Sequence, residues 1–154
     1  MPTGHLRAAT PGDLELLIRL VRDFYLHFGY PFSEPEKRRL LAQVLETPEL
    51  GRLALLHSEA GEPVGYLFLS FYFSLELGGP VALLDELFVE PAHRGRGLGS
   101  RVVGELVEVA RGLGLRALQL ESERTNARAT ALYQRLGFVD LDRHLLTLVL
   151  EPAP

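Results

Sequence analysis

A loop rich in glycine and arginine lies between a predicted strand and a predicted helix, at residues 94–100 of this chain. The strand is predicted over residues 83–89, and it ends near Pro91 because proline cannot continue a hydrogen-bonded ladder. The helix starts directly after the loop, since apolar residues recur every three or four positions from Leu98 to Leu113. The loop glycines leave backbone N–H groups uncovered at the start of that helix, beside Arg94 and Arg96. Such an arrangement predicts a site that binds phosphate.

Three kinds of structure have a glycine loop between a strand and a helix, and the loop can be compared with each. A Walker loop would end in Gly-Lys-Ser/Thr, whereas this one ends in Leu-Gly-Ser. A dinucleotide-binding fingerprint has three glycines directly after a strand. Gly95 and Gly97 fit the first two of them, but Ser100 stands in the place of the third. Glu121 lies about where an acid that binds a ribose would be expected, so this second interpretation stays open. The third is a tight turn between strand and helix that binds no ligand.

The whole sequence predicts elements in the order β-α-α-β-β-β-α-β-α-β, where the last β stands for two closing strands. Periodic apolar residues, with glycine and proline at the boundaries, define them. The strands are predicted at residues 5–9, 52–57, 64–77, 83–89, 117–120, 138–141 and 144–150, and the helices at 14–28, 34–46, 98–111 and 126–136. Hairpins would join the second, third and fourth strands, and a helical crossover would make the fifth parallel to the fourth. The class is therefore α/β or α+β, with a mixed, mostly antiparallel central sheet.

Composition and charge narrow the class of protein. The length of 154 residues fits a single domain spanning residues 1–154. A net charge of −4 argues against a nucleic-acid-binding protein, which usually carries a basic surface. The lack of cysteine excludes disulfides, thiolate metal ligands and a cysteine nucleophile. The five histidines lack the spacing of a metal site, so we predict no metal.

Two further patterns bear on location. No apolar run reaches the ~20 residues that a membrane-spanning helix needs. The first residues of the chain lack the apolar stretch of a secretory signal. We therefore expect no membrane partner and a soluble, cytoplasmic protein.

Two motifs in the second half of the chain resemble the signatures of the GNAT acetyltransferases. The first is Arg-Gly-Arg-Gly-Leu-Gly at residues 94–99, which is similar to the family's Arg/Gln-x-x-Gly-x-Gly/Ala. The second combines Asn126, Ala129, Tyr133 and the pair Gly137-Phe138. The order of elements is also similar to the family's, so the resemblance covers nearly the whole chain. It implies a GNAT-like mixed, mostly antiparallel sheet of six to seven strands with about four helices, splayed between strands 4 and 5.

The resemblance implies that acetyl-coenzyme A binds along the strand, the loop and the helix. The loop and the start of the helix would hold the pyrophosphate, and the strand would pair with the pantetheine arm as with an added strand. The backbone N–H of Phe88 or Val89 would polarise the thioester carbonyl. The implied coenzyme-binding residues are Leu87, Phe88, Val89, Arg94, Gly95, Arg96, Gly97, Leu98, Gly99, Ser100, Asn126 and Tyr133.

Tyr133 and Asn126 each have a functional and a structural interpretation. Tyr133 matches the family's tyrosine, which protonates the departing thiolate, but it also fits a half-buried face shared with Leu132 and Leu136. Asn126 matches the family's coenzyme-contacting asparagine, and it also fits a helix cap beside Thr125. Both interpretations of Asn126 can hold together, and we predict Tyr133 as the general acid.

Asp85 and Glu86 form an acidic pair in the strand before the loop. Neighbouring strand residues face opposite sides of a sheet, so we expect the two carboxylates to have different roles. Leu87 and Val89 fit core positions, which places Glu86 out of phase with them and nearer a substrate cleft. We predict Glu86 as the catalytic base or ammonium-binding group, with Asp85 as the second candidate. Ordinary surface acids of a hairpin are the structural alternative.

Aromatic residues at the end of the first helix are predicted to line the acceptor pocket, as that region does in the family. They are Tyr25, Phe28 and Tyr30, with Phe32 nearby and Glu86 on the strand. Packing in a helical core is the alternative for these aromatic residues. Residues 64–100 also resemble spermidine/spermine-type members of the family, but the acidic pair is Asp-Glu here rather than Glu-Asp. The acceptor therefore stays open.

The predicted activity is an acetyl-coenzyme A-dependent N-acetyltransferase acting on a primary amine of a small molecule, polyamine or peptide. Transfer would be direct, within a ternary complex, because the chain has no cysteine to carry the acetyl group. A non-catalytic acyl-coenzyme A sensor is the alternative, and a dinucleotide-dependent enzyme is a third hypothesis. The long aromatic third strand would suit either a sheet core or a homodimer contact.

Overall fold

The described chain forms two compact units. The computed structural model describes residues 4–151, with one unit up to Glu121 and another from Ser122 onward. The first contains β1 (Leu6–Ala8), α1 (Leu14–Phe28), α2 (Glu34–Glu46), β2 (Gly51–His57), β3 (Pro63–Ser74), β4 (Gly79–Val89), α3 (Leu98–Gly112) and β5 (Ala117–Leu120). The second contains α4 (Ala127–Arg135).

One sheet, with strand order β1-β2-β3-β4-β5, organises the first unit. Strands β1 to β4 pair antiparallel, and β5 pairs parallel to β4. The predicted mixed, mostly antiparallel sheet is therefore confirmed, as are the four helices. The β4–β5 ladder ends where Leu84 meets Leu120, so β4 continues to Val89 beyond the last residue that β5 pairs. This is the predicted splay between strands 4 and 5.

The sheet has five strands rather than the predicted six to seven. Residues 138–141 and 144–150 were predicted as strands, but both segments are irregular. Alternating apolar residues indicate which face a strand would bury, yet a strand forms only where a neighbour completes its hydrogen bonds. Within residues 4–151, no ladder includes either segment. The prediction of these two strands is wrong for that reason.

The two faces of the sheet carry separate hydrophobic cores. Alternate residues of β2 belong to different cores, with Leu55 on the α1 side and Leu56 on the α3 side. The buried residues of the α3 core are aliphatic, among them Leu67, Leu69, Val102 and Leu106. The core under α1 and α2 mixes aliphatic and aromatic side chains, among them Leu17, Ile18, Tyr66 and Phe88. Helices therefore cover both faces, in three layers.

A capping box begins the segment that leads into α1. The carboxylate of Asp13 accepts hydrogen bonds from the backbone N–H of Thr10 at 2.8 Å and from Arg7 at 2.8 Å. The Arg7 guanidinium holds the pKa of Asp13 down at about 2. The helix that follows ends at Gly29, as predicted. In the part of the chain that the structure describes, none of the helices combines the length and apolar character needed to cross a membrane.

Candidate active site

A β-bulge in β4 sets the direction of the acidic pair. Glu86 lies opposite Phe68 of β3, and Leu84 lies opposite Leu69, so Asp85 is the extra residue between two regular pairs. An extra residue shifts the alternation of all side chains beyond it by one position. The strand therefore presents different faces before and after the bulge.

The bulge brings both carboxylates to one cavity. Asp85 and Glu86 both line a cavity of about 220 Å³ on the sheet face that α1 and α2 cover. The expectation that these neighbours face opposite sides is wrong, because regular alternation does not hold across a bulge. The core contacts on either side of the bulge show the same shift. Leu84 and Leu87 both contact the α3 core, and their odd spacing cannot occur on one face of a regular strand.

Two tyrosines hold the carboxylate of Glu86. The hydroxyl of Tyr66 donates to Oε2 at 2.5 Å, and the hydroxyl of Tyr25 donates to Oε1 at 3.1 Å. Tyr66 lies on β3 and is 1% exposed, Tyr25 lies on α1, and both line the cavity. Burial raises the pKa of Glu86 above the ordinary glutamate value, and the two hydroxyls partly oppose that rise. The result is a fixed carboxylate that accepts a proton more readily than a free one.

The tyrosines themselves remain proton donors. Burial raises the pKa of Tyr66 and of Tyr25, and the nearby charge of Glu86 adds to both shifts. Both hydroxyls are therefore protonated at neutral pH and can donate to the carboxylate. Tyr66 was not predicted as a site residue, because only the pairing of β3 with β4 brings it to Glu86.

Apolar walls and one cation complete the cavity. The apolar lining comes from α1, α2, β2 and β3, namely Val21, Leu40, Leu41, Val44, Leu53 and Phe68. Lys37 of α2 also lines the cavity, and its side chain is only 18% exposed. Its Nζ lies 4.4 Å from the centre of the Tyr25 ring, a cation–π contact. The cavity thus has carboxylates on β4 and an ammonium group on α2.

The aromatic residues predicted to line the acceptor pocket do not all lie at the cavity. Tyr25 lines the cavity, whereas Phe28 and Tyr30 are not among the residues that form its wall. Their rings stack on each other at 5.7 Å with an interplanar angle of 17°. Each is about half exposed, at 52% and 51%. A role for Phe28 and Tyr30 in acceptor binding stays a prediction.

The end of β4 presents backbone N–H groups at an open edge. The N–H of Glu90 donates to the carbonyl of Val64 on β3 at 2.8 Å. Because antiparallel pairs alternate in direction, the peptide groups of Phe88 face β3 and those of Leu87 and Val89 face away from it. The ladder with β5 does not reach these residues. The available donors are therefore the N–H groups of Leu87 and Val89.

Arg94 lies against the same end of β4. Its Nε donates to the carbonyl of Val89 at 2.6 Å, which agrees with the outward direction of that peptide group. The guanidinium carbon is 5.4 Å from the centre of the Phe88 ring, and Nη1 is 3.2 Å from Nε2 of His27. The loop arginine is thus anchored next to the open edge.

The glycine loop leads into α3 without a side-chain cap. Gly95 and Gly97 both have a φ of 76°, a conformation that favours glycine. Gly97 directly precedes α3, and no side chain of residues 4–151 caps the first N–H groups of that helix. Arg96 is exposed beside them, while Leu98 is buried and can offer a ligand only its backbone. An uncapped helix start next to arginines suits the pyrophosphate of a coenzyme.

In the second unit, Asn126 caps α4. Its Oδ1 accepts a hydrogen bond from the N–H of Ala129 at 3.1 Å, so the structural interpretation of Asn126 is confirmed. The ring of Tyr133 contacts that of Phe138 at 5.8 Å. Burial raises the pKa of Tyr133, which keeps the hydroxyl protonated at neutral pH. The contacts predicted for Asn126 and Tyr133 with the coenzyme stay predictions.

A sheet that opens along β4, next to a glycine loop and an uncapped helix, is the architecture expected of a GNAT acetyltransferase. The model of the acetyltransferase (GNAT) family matches residues 15–138. The chain belongs to this family. It is an acetyl-coenzyme A-dependent N-acetyltransferase. The dinucleotide-dependent interpretation of the glycine loop is therefore set aside.

Individual relatives agree with this assignment. A thialysine N-epsilon-acetyltransferase of Bos taurus is 30% identical over 152 residues, covering 88% of this chain and 84% of the relative. The integron cassette protein HFX_CASS3, from the mobile metagenome of Cole Harbour Salt Marsh, is 35% identical with a TM-score of 0.84, covering 97% and 92% of the two chains. AAC(6')-Iy, solved with the bisubstrate analogue CoA-S-monomethyl-acetylneamine, shares the fold at 18% identity and a TM-score of 0.76, covering 94% and 96%.

Proposed function

We propose that the protein transfers the acetyl group of acetyl-coenzyme A directly to a primary amine of a small molecule. The observation that carries this proposal is the position of Glu86. Its carboxylate is held by Tyr25 and Tyr66 at the wall of an apolar cavity. The next residue along the strand is Leu87, whose N–H faces the open edge of β4. A proton acceptor and a donor for the thioester carbonyl are therefore adjacent in one strand.

The coenzyme side of the site would extend from β4 to α3. Bound acetyl-coenzyme A supplies the acetyl group as a thioester. The N–H groups of Leu87 and Val89 would receive its reactive end, and one of them would polarise the carbonyl, since the N–H of Phe88 faces β3. The uncapped N–H groups at the start of α3, with Arg94 and Arg96, would hold the pyrophosphate.

Glu86 would prepare the acceptor amine for attack. An alkylamine is mostly an ammonium ion at neutral pH and must lose a proton to become a nucleophile. The raised pKa of Glu86 suits it to accept that proton, either directly or through the Tyr25 hydroxyl in the cavity wall. Tyr66 would fix the orientation of the carboxylate, since its side chain is almost fully buried and its hydroxyl donates to Glu86.

Transfer then exchanges one bond for another. The new N–C bond forms at the acetyl carbon as the C–S bond breaks. The nitrogen releases a second proton as the amide forms, and this balances the proton that the departing thiolate takes up. We propose Tyr133 as the donor of that proton, because its raised pKa keeps the hydroxyl protonated. Asn126 is proposed to contact the coenzyme in addition to its capping role.

A small molecule is the favoured acceptor. The cavity of about 220 Å³ has mostly apolar walls and suits a short chain better than a folded protein surface. The Bos taurus relative is named for thialysine, a small molecule. The proposal still includes a polyamine or a peptide amine as the acceptor. We also propose a cytoplasmic location, one domain spanning residues 1–154 and a homodimer.

The test is a panel of primary amines incubated with acetyl-coenzyme A, with release of the free thiol as the readout. The wild-type protein should acetylate at least one small amine, and Tyr133→Phe should slow that turnover by about 10²-fold or more if Tyr133 is the general acid. Unchanged turnover would remove Tyr133 from that role. Binding of acetyl-coenzyme A without turnover of any amine would instead favour the non-catalytic sensor. Calorimetric titration with acetyl-coenzyme A and NAD is the binding control.

A further inference from the structure

Lys37 is a cation in a cavity that otherwise holds acids and apolar side chains. We propose that the acceptor carries a carboxylate in addition to its amine, joined by a short apolar chain, and that Lys37 binds this carboxylate. The inference rests on the proposed acetyl transfer, since it concerns the acceptor of the same site. It narrows the acceptor from primary amines in general to ω-amino acids and related zwitterions.

The one ion pair of Lys37 within residues 4–151 is long, and its charge also lowers the pKa of Glu86 in the same cavity. The side chain of Lys37 is 18% exposed, yet its nearest carboxylate oxygen, on Glu36, is 3.8 Å away and belongs to a side chain that is 55% exposed. Such a long contact with an exposed acid contributes little. The Tyr25 ring below Nζ stabilises the cation but accepts no charged hydrogen bond. A carboxylate entering the cavity would give Lys37 a charge-assisted partner.

The order of groups around the cavity matches a molecule with unlike ends. Glu86 lies on β4, next to the N–H that would polarise the acetyl carbonyl, so the amine belongs at this wall. Lys37 lies on α2, and the apolar side chains of Leu40, Leu41 and Val44 come from the same helix. A short carbon chain can therefore run along apolar walls between the two charged groups.

Asp85 is the group that competes with this assignment. It is exposed, lines the same cavity and would attract a second ammonium group, as in a diamine. A diamine would also bring a positive charge toward Lys37, which opposes binding. The two assignments predict opposite preferences between an ω-amino acid and a diamine of equal length.

Three amine series separate the assignments. The kcat/KM for acetylation is measured for ω-amino acids, n-alkylamines and α,ω-diamines with chains of three to six carbons, so that only the charge of the far end changes. The wild-type protein should prefer the ω-amino acid to the diamine by about tenfold or more at the best length. A preference for the diamine would overturn the inference and assign the far end to Asp85.

Lys37→Met removes the charge and keeps the length of the side chain. Relative to its effect on the n-alkylamine, it should raise KM for the ω-amino acid by about tenfold and improve the diamine, while Lys37→Arg should restore the wild-type order. Arg39→Met is the matched control, because Arg39 is exposed on the same helix and does not line the cavity. Equal changes for all three amines in Lys37→Met would overturn the inference. If the wild-type protein acetylates no amine at all, the proposed function fails and the inference fails with it.

Discussion

The two faces of the central sheet differ in chemistry although the same strands build both. On the α3 side, the buried side chains are aliphatic, from Leu6 on β1 to Leu106 on α3. On the α1 and α2 side, Tyr66 and Phe88 are buried among leucines, and Glu86 lies beside them with a raised pKa. One face therefore contributes mainly to stability, and the other combines a core with a proton-accepting site.

This difference begins at a single residue of β4. Before the bulge, Ala82 and Leu84 contact the aliphatic core, and after it Leu87 and Val89 contact the same core. If the strand alternated regularly through Asp85, without a bulge, the side chain of Glu86 would share the face of Leu84 and point into the aliphatic core, where an unpaired carboxylate is very costly. The bulge places it instead against two tyrosine hydroxyls. The same position ends the ladder with β5, so the open backbone edge and the acid occur together.

The largest expected effect on the polar face comes from Glu86→Gln. Loss of the proton acceptor should lower kcat/KM by about 10²–10⁴-fold, while the thermal midpoint should not fall, because the shape of the side chain is kept. Steady-state kinetics with the best amine of the panel, together with a thermal melt, measures both quantities. Asp85→Asn is the comparison variant, and a greater loss there than in Glu86→Gln would assign the base to Asp85.

On the aliphatic face, Leu106→Ala should act on stability alone. Leu106 is 2% exposed on α3, and a leucine-to-alanine change in such a core costs about 2–5 kcal/mol of unfolding free energy. Denaturant unfolding measures the loss. The pH dependence of kcat/KM in the folded fraction should match the wild type, because no charged group near the cavity changes. A shifted pH profile in this variant would contradict the division between the two faces.

A smaller effect is expected from Tyr66→Phe, which removes one hydrogen bond to Glu86. The hydroxyl lowers the pKa of Glu86, so its loss should raise that pKa further and move the acid limb of the pH–rate profile to higher pH. The maximal rate should fall by about tenfold, in line with one hydrogen bond to a charged group. Tyr72→Phe on the same strand is the matched control, because Tyr72 contacts Gln119 and does not line the cavity. An unshifted acid limb in Tyr66→Phe would exclude a positioning role.

The smallest expected effect is on the pH dependence of stability. The pKa of Glu86 is raised in the folded state, so the unfolded chain loses this proton first as pH increases. The free energy of unfolding should therefore decrease between about pH 4.5, the unfolded pKa of Glu86, and its folded pKa. Glu86→Gln should lack this decrease. The difference in unfolding free energy between the two proteins, measured by urea titration across that range, isolates the contribution. The opposite dependence of Asp13, whose pKa is lowered, cancels in the subtraction.

Most of the fold could be predicted from local patterns. Periodic apolar residues and the glycine and proline boundaries placed α1, α2, α3 and five strands close to their observed positions. The two predicted strands after residue 137 failed because alternation describes one chain segment, whereas a ladder needs a partner. The candidate site was predicted from its glycine loop and its acidic pair for the same local reason, since both are contiguous in the chain.

By itself, the sequence determined the family, the order of elements and the identity of the acids, because contiguous motifs and periodicity carry that information. Only the tertiary structure decided how these groups are combined. Asp85 and Glu86 share one cavity because of a register shift against β3, and Tyr66 and Lys37 reach that cavity from a different strand and a different helix. Register and the packing of distant elements depend on the whole set of contacts, and no single stretch of the chain encodes them.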